Sequence, residues 1–294
     1  MKGEKVEGLV LKRYSGFYYV QDKELTVFEC KLRGKVKDGI ILTGDKVIIR
    51  TLEANKGIIE EVLPRINELY RPRIANITKV FIVLANDRPA PSILLLDRLL
   101  FLAYFNSIKP CIVLNKADLG KNKDTDLIEQ YYPTIGVDVV VTSTKKNLGI
   151  ETLKDLIKGE ISVFAGPSGA GKSSLLNLLI DGINIKTQEV SDRIGRGKHT
   201  TRHVELFTLD NGGLIADTPG FSILDLPKLN KADLVEYFPD LYEHTSRCKF
   251  NDCLHWKEND CGVKEAVDEG VIAPFRYENY LTMLQEVIEN ERCY

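Results

Sequence analysis

The sequence predicts a multidomain α/β protein. A small N-terminal β-barrel of the oligonucleotide-binding (OB) type is followed by a central unit with a mostly parallel sheet and by a mainly helical C-terminal unit. Three observations carry that reading. Five short apolar or alternating runs crowd residues 1–63, strand and helix patterns alternate from residue 80 to 180, and a cysteine–histidine cluster sits among helical patterns near the C-terminus. The corresponding divisions are 1–66, 67–225 and 226–294.

Length and composition bound the answer. A chain of 294 residues with 44% hydrophobic content suits two or three globular domains, each with its own core. No uncharged apolar run approaches the roughly 18 residues of a membrane helix. The greasiest stretch, 93–105, is broken by Asp97 and Arg98, and the first residues lack an apolar signal region. A cytoplasmic protein with no membrane partner is expected. The net charge of −2 hides an asymmetry. Residues 1–73 carry 15 basic against 11 acidic side chains, and residues 221–294 carry 8 against 15. A mildly basic first module is compatible with a nucleic-acid surface.

Within that module, stretches 7–13, 16–21, 25–30, 45–50 and 57–62 read as strands separated by Gly, Asp and Asn. Five strands without helical period fit a small OB-type barrel. Phe17, Tyr18, Tyr19, Lys31, Arg33, Lys35 and Lys37 offer stacking faces and phosphate contacts; taken singly each reads better as a core aromatic or a solvated charge, and taken as a module they favour nucleic-acid contact. Residues 64–73, with two prolines and no periodicity, read as a linker. Strands then follow at 80–85, 111–114 and 137–141, with helices at 92–105, 124–130 and 149–157. This rhythm argues for a parallel sheet covered by helices.

The phosphate-binding signature comes next. Gly166, Pro167, Ser168, Gly169, Ala170, Gly171, Lys172, Ser173 and Ser174 spell G-x-x-x-x-G-K-[ST] between an apolar strand at 161–165 and a helix beginning at Leu175. The glycines let backbone N–H groups turn inward, and the helix N-terminus adds a positive dipole end for phosphate oxygens. Lys172 is placed for the β/γ-phosphates and the Ser173 hydroxyl for Mg²⁺.

A second motif reads the base. Asn115, Lys116, Ala117 and Asp118 follow a buried strand, where open α/β sheets bind ligands. An Asp there accepts two hydrogen bonds from guanine, and adenine offers no such donor pair. Lys116 covers the base face and Asn115 ties the two loops together. Ser143, Thr144 and Lys145 resemble the Ser-Ala-Lys element that buttresses guanine. Asp217-Thr-Pro-Gly220 follows the strand at 213–216, with Asp217 holding Mg²⁺ through water and the Gly220 N–H sensing the γ-phosphate. Between them, the loop 195–202 supplies either Thr200 or Thr201 as a Mg²⁺ ligand, with Thr201 favoured. A nucleotide kinase or ATPase shares the phosphate loop, but Asn115–Asp118 speaks against it.

Cys248, Cys253, His255 and Cys261 place three thiolates and an imidazole within fourteen residues, the complement of a closed structural Zn²⁺ site. Helical patterns surround it at 231–238, 262–269 and 274–291. Cys30, Cys111 and Cys293 carry no readable chemical signal, and Cys111 reads as a buried small hydrophobe.

The nucleotide motifs occur in rotated order, base recognition preceding phosphate binding by about fifty residues. A parallel sheet tolerates this when the former termini lie close together, and the connection Lys158-Gly159-Glu160 joins them. The element that responds to γ-phosphate is thereby spliced to the C-terminal unit. The rotated order, the barrel and the cysteine cluster together resemble the RsgA (YjeQ/YloQ) family of circularly permuted GTPases. That resemblance implies a GTPase acting late in maturation of the small ribosomal subunit. It implies contact with ribosomal RNA through the barrel, faster GTP hydrolysis to GDP on the subunit, no DNA partner and a monomer when free. A placeholder that occupies the subunit while GTP-bound, with hydrolysis serving release, is the alternative. Phe221 stands where many GTPases place a water-orienting Gln, so another group must do that work. His199 is the candidate, since its side chain titrates near neutrality, and the family resemblance supports it.

Overall fold

The computed structural model describes residues 3–32, 40–70, 72–180, 204–217 and 225–292. The first five strands, β1 (Lys5–Tyr14), β2 (Phe17–Asp22), β3 (Val27–Leu32), β4 (Lys46–Thr51) and β5 (Lys56–Val62), close into a barrel in the order β1-β2-β3-β5-β4. The β3–β5 pair is parallel and the other pairs are antiparallel. Alternation explains its filling, since Val10, Val20, Cys30, Val47, Ile49 and Ile59 all point inward and are fully buried. Tyr18 is interior too, at 5% exposure, so it belongs to the core and is withdrawn as a stacking face.

Residues 64–73 are more than a linker. They contribute β6 (Glu68–Tyr70) and open β7 (Arg73–Ala75), an antiparallel hairpin against the barrel. Two polar clamps hold it. The Arg65 guanidinium donates to both oxygens of the fully buried Asp45, at 2.6 and 2.8 Å. Asn76 donates from Nδ2 to the Gly44 carbonyl at 2.8 Å. Local periodicity cannot reveal such side-chain clamps, which is why the stretch reads as a connection in sequence.

The central sheet comprises β8 (Lys79–Ala85), β9 (Lys109–Asn115), β10 (Asp138–Val141), β11 (Ile161–Ala165), β12 (Leu206–Thr208) and β13 (Leu214–Ala216). Its order is β10-β9-β8-β11-β13-β12, parallel except for the antiparallel edge strand β12. Helices α1 (Ile93–Phe105), α2 (Lys123–Tyr131), α3 (Ile150–Ile157) and α4 (Lys172–Leu179) cover it. Strand β8 shows the layering. Val80, Ile82 and Leu84 join the core on the α1 side, and Phe81 and Val83 join that on the α3–α4 side. The Ser92 hydroxyl caps α1, and Asn122 with Thr125 forms a capping box on α2.

The C-terminal unit is helical. The predicted helix at 231–238 is instead a 3-10 helix over Asp233–Tyr237 followed by α5 (Pro239–Tyr242), because Pro239 lacks the N–H a continuous helix needs and starts the second segment at its first turn. Next come α6 (Gly262–Asp268) and α7 (Pro274–Arg292). Helix α1 serves two cores. Leu96, Leu99 and Leu100 face the sheet, and Phe101 and Leu102 pack with Phe238, Tyr280 and Leu284 of the C-terminal unit. No helix among the described residues is long and apolar enough to cross a membrane.

Candidate nucleotide site and zinc centre

The carboxyl ends of β9 and β11 carry the two predicted nucleotide loops side by side. Asn115, the last residue of β9, is fully buried and donates from Nδ2 to the Ala170 carbonyl at 3.0 Å. Its Oδ1 accepts from the Thr142 hydroxyl at 3.1 Å. One side chain thus joins the loop that follows β9, the loop that follows β10, and the glycine-rich loop after β11. Gly171 has to be glycine for this: its φ is +98°, and a Cβ would sit 2.2 Å from Asn115 Nδ2. Gly166 is equally constrained, at φ +123° with a Cβ position 2.1 Å from the Val83 carbonyl oxygen.

Lys116 adopts left-handed backbone (φ 62°), and Nζ donates to the Arg88 carbonyl in the loop after β8. That loop also borders the glycine-rich loop, since a Cβ at Gly169 would lie 3.5 Å from Pro89 Cδ. Asp118 begins to look like a prepared acceptor. Its Oδ1 takes the Ser143 hydroxyl at 2.6 Å, and that bond, helped by the Lys145 and Lys146 charges, holds its carboxyl below the usual range. Thr144 is half-buried and Lys145 exposed beside it.

Lys172 opens α4 and folds back over its own loop, donating from Nζ to the carbonyls of Gly166 at 2.8 Å and Pro167 at 2.7 Å. Burial pushes its pKa down to about 8. Ser168 and Gly169 are exposed, while Ser173 and Ser174 are half-buried on the first turn of α4. Asp217 follows β13. Burial pushes its carboxyl up to about 6, and Oδ1 accepts the Glu205 N–H at 3.1 Å. A half-buried lysine held by backbone carbonyls and a half-buried carboxylate held by a backbone N–H form a donor set suited to a polyphosphate and a divalent cation. His199, Thr200, Thr201, Gly220 and Phe221 lie outside the described residues.

Sequence reasoning missed several residues at this edge. Asn86, one residue past β8, is buried and donates from Nδ2 to the Gly120 carbonyl at 2.9 Å, bracing the turn that carries Asp118. Its signal is faint: a lone Asn after an apolar strand. The edge strand β12 and its Glu205 were missed as well, because three residues give too short a pattern to read.

In the C-terminal unit the ligand atoms of Cys248, Cys253, His255 and Cys261 all lie within 4.8 Å of one another. The Cys248 and Cys261 sulfurs are 3.9 Å apart, and His255 Nδ1 is 3.5 and 3.4 Å from them. Ligands about 2.0–2.3 Å from a tetrahedral centre give edges of roughly 3.5–3.8 Å, so this geometry fits zinc. Two tyrosine hydroxyls fix the turn between the ligands, Tyr277 donating to the His255 carbonyl at 2.6 Å and Tyr280 to the Leu254 carbonyl at 3.0 Å. Burial lowers the pKa of the His255 imidazole and pushes the Cys253 thiol up to about 12. A bound dication reverses the thiol shift.

In the barrel, Phe17 lies under the Lys31 ammonium, 5.0 Å from ring centroid to Nζ, and Tyr19 lies 5.4 Å from Lys12 Nζ. Both rings are half-buried. Arg33, Lys35 and Lys37 lie outside the described residues.

Comparison with known proteins agrees with these motifs over the length of the chain. The family model for the RsgA N-terminal domain matches residues 7–59, and that for the RsgA GTPase matches 62–227. A small ribosomal subunit biogenesis GTPase RsgA of Carboxydothermus hydrogenoformans is 51% identical over 290 residues, covering 98% of this chain and 99% of that protein. A protein of the same description from Moorella thermoacetica is 47% identical over 291 residues, covering 98% of this chain and 100% of its own length. Among solved structures, YjeQ from Thermotoga maritima superposes with a TM-score of 0.85 at 37% identity, over 97% of this chain and 99% of that one. YloQ, described as a circularly permuted GTPase, gives 0.84 at 37% identity, over 98% and 96%. The chain belongs to the RsgA GTPase family and is a GTP-hydrolysing enzyme.

Proposed function

We propose that this chain hydrolyses GTP in late maturation of the small ribosomal subunit and is stimulated by that subunit. One observation supports the reading most: Asn115 bonds Ala170, which sets the guanine-reading and phosphate-binding loops against each other at one sheet edge. Asp118 pairs with the guanine N–H groups, Lys116 covers the base, and Ser143, Thr144 and Lys145 close over it. Gly166 through Gly171 wrap the phosphates, with Lys172 turning from its two carbonyl partners to the β/γ oxygens. Ser173, Thr201 and Asp217 would hold Mg²⁺, which would supply charge neutralisation for the transferring phosphoryl group. His199 orients the attacking water. Water oxygen bonds to the γ-phosphorus as the bridging bond to the β-phosphate breaks, leaving GDP and inorganic phosphate. The Gly220 N–H responds to the γ-phosphate.

One structural zinc is held by Cys248, Cys253, His255 and Cys261. The barrel contacts ribosomal RNA through Phe17, Tyr19 and neighbouring lysines. The modules divide at 1–66, 67–225 and 226–294, in a cytoplasmic protein that is monomeric when free.

The test measures GTP and ATP hydrolysis with and without purified small subunits. Preference for GTP and acceleration by the subunit are expected. A preference for ATP, or no acceleration, defeats the corresponding half of the proposal. Asp118→Asn should move preference toward xanthine nucleotide. His199→Ala should abolish stimulated turnover with GTP affinity kept within a few-fold.

A further inference from the structure

The edge strand β12 is where the barrel meets the nucleotide site. Glu205, which precedes it, holds Asp217 twice. The Asp217 N–H donates to the Glu205 carbonyl at 3.0 Å, and the Glu205 N–H donates to Asp217 Oδ1 at 3.1 Å. The Glu205 side chain goes to the barrel instead, where Oε1 takes the Lys12 ammonium at 2.6 Å. Lys12 and Glu205 also form a lone antiparallel β-bridge between β1 and the start of β12. Contacts on either side extend the grip. The Thr43 hydroxyl donates to the Val204 carbonyl at 2.9 Å, and the Thr208 hydroxyl to Gln21 Oε1 at 3.0 Å.

The Thr43 and Thr208 contacts reach the same segment, at Val204 and within β12. Lys12 is the charged group at the joint, and it also lies against Tyr19 on the barrel surface. Lys12, the Glu205 side chain and the Glu205 N–H thus form a continuous chain of contacts from β1 to one carboxylate oxygen of Asp217.

We propose that Lys12 and Glu205 are a pair of positioning residues through which the barrel sets the placement of Asp217 for GTP hydrolysis. Lys12 acts on Glu205 through its ammonium, and Glu205 acts on Asp217 through its backbone N–H. The proposal rests on the reading above that Asp217 is the carboxylate on the magnesium side. Coupling between binding sites is reciprocal, so the factor by which RNA on the barrel changes magnesium affinity is the factor by which magnesium changes RNA affinity.

The experiment uses the full chain with Lys12→Gln, Glu205→Gln, the double variant, Lys12→Arg, and the exchange Lys12→Glu with Glu205→Lys. It reads the Mg²⁺ concentration for half-maximal basal turnover, the stimulation by purified small subunits, and GDP affinity without Mg²⁺. The pair is partly exposed, so each single variant should raise the Mg²⁺ requirement and lower stimulation by roughly two- to fivefold. The double variant should be no worse than either single one, Lys12→Arg should restore wild-type values, and the exchange should recover most of the loss. Mg²⁺-free GDP affinity should stay within about twofold for Lys12→Gln, which a merely structural defect would not respect. Wild-type Mg²⁺ dependence in both single variants, or losses that add in the double, overturns the proposal. A wild-type chain that subunits fail to stimulate defeats the ribosomal reading alone, and the Mg²⁺ measurement then decides the pair.

Discussion

Arg276 on α7 meets Asp97 on α1 with Nη1 2.6 Å from Oδ1, and both side chains are shut away from solvent, at 1% and 0% exposure. The approach is ionic, off the N–H axis. The aligned hydrogen bonds of the guanidinium go to Asp240, from Nε at 2.9 Å and Nη2 at 3.1 Å. Tyr132 and Asn279 donate to the two Asp97 oxygens at 2.5 and 2.7 Å. One cation therefore answers two carboxylates at the seam between the GTPase sheet and the zinc unit. Arg276→Met should cost about 3–5 kcal/mol, because it strands both carboxylates in a dry interior. Adding Asp97→Asn and Asp240→Asn should recover most of that loss. Urea denaturation of the variants checks both statements, and a cost below about 1 kcal/mol for Arg276→Met contradicts the first.

Gly171→Ala tests the lock between the two nucleotide loops. The new methyl collides with the Asn115 amide, and the left-handed backbone adds strain of about 1–3 kcal/mol. Either the Asn115–Ala170 bond breaks or the loop shifts, so GDP affinity should fall at least about tenfold. Calorimetric titration with GDP measures it. Affinity near wild type would show that the loop accommodates a side chain.

The barrel carries a pH signature. Glu60 accepts from Arg50 at 2.7 Å and meets Lys5 at 3.0 Å, and the Arg50 bond first, with Lys5 second, pulls its pKa to about 2 from an ordinary 4.5. A carboxylate with a lowered folded-state pKa contributes stability above the unfolded value and loses it as pH falls through the folded value. Between pH 4.5 and about 2 the wild-type melting temperature should therefore fall more steeply than that of Glu60→Gln. Parallel curves from circular dichroism would exclude the contribution.

The zinc reading predicts about one equivalent of metal per chain by elemental analysis, and clearly less in Cys261→Ser. Chelation should lower the melting temperature without unfolding the unit entirely, because Phe238, Tyr280, Met283 and Leu284 are also buried against Phe101 and Leu102 of α1. Unchanged melting after verified metal removal would contradict a structural role.

Much of this architecture was legible because it is written locally. Alternation placed Val47, Ile49 and Ile59 inside the barrel, the glycine-rich loop announced itself between strand and helix, and the cysteine spacing found the metal cluster. What stayed hidden depends on partners distant in sequence. Asp97 looked like an interruption in an apolar helix, and only the fold brings Arg276 to it. The hairpin of β6 and β7 is held by Asp45 and Gly44 of the barrel, which no local pattern can show. Tyr18 sat among aromatics that read as a surface, yet the strand period turns it inward while Phe17 and Tyr19 face the other way. Glu205 gave no signal at all, its importance arising from Lys12 on β1 and Asp217 just past β13, both outside the short pattern it sits in.

The sheet order has a consequence for the nascent polypeptide. Strands β10, β9 and β8 are contiguous both in the sheet and in the first part of the chain, and β11, β13 and β12 come later. Translation therefore completes a half-sheet whose outer edge is β8, a strand buried along all seven residues in the finished protein. Until β11 leaves the exit tunnel, that bare apolar edge waits for its mate and invites mispairing with other chains. Nucleotide capture has to wait until β11 has docked against β8.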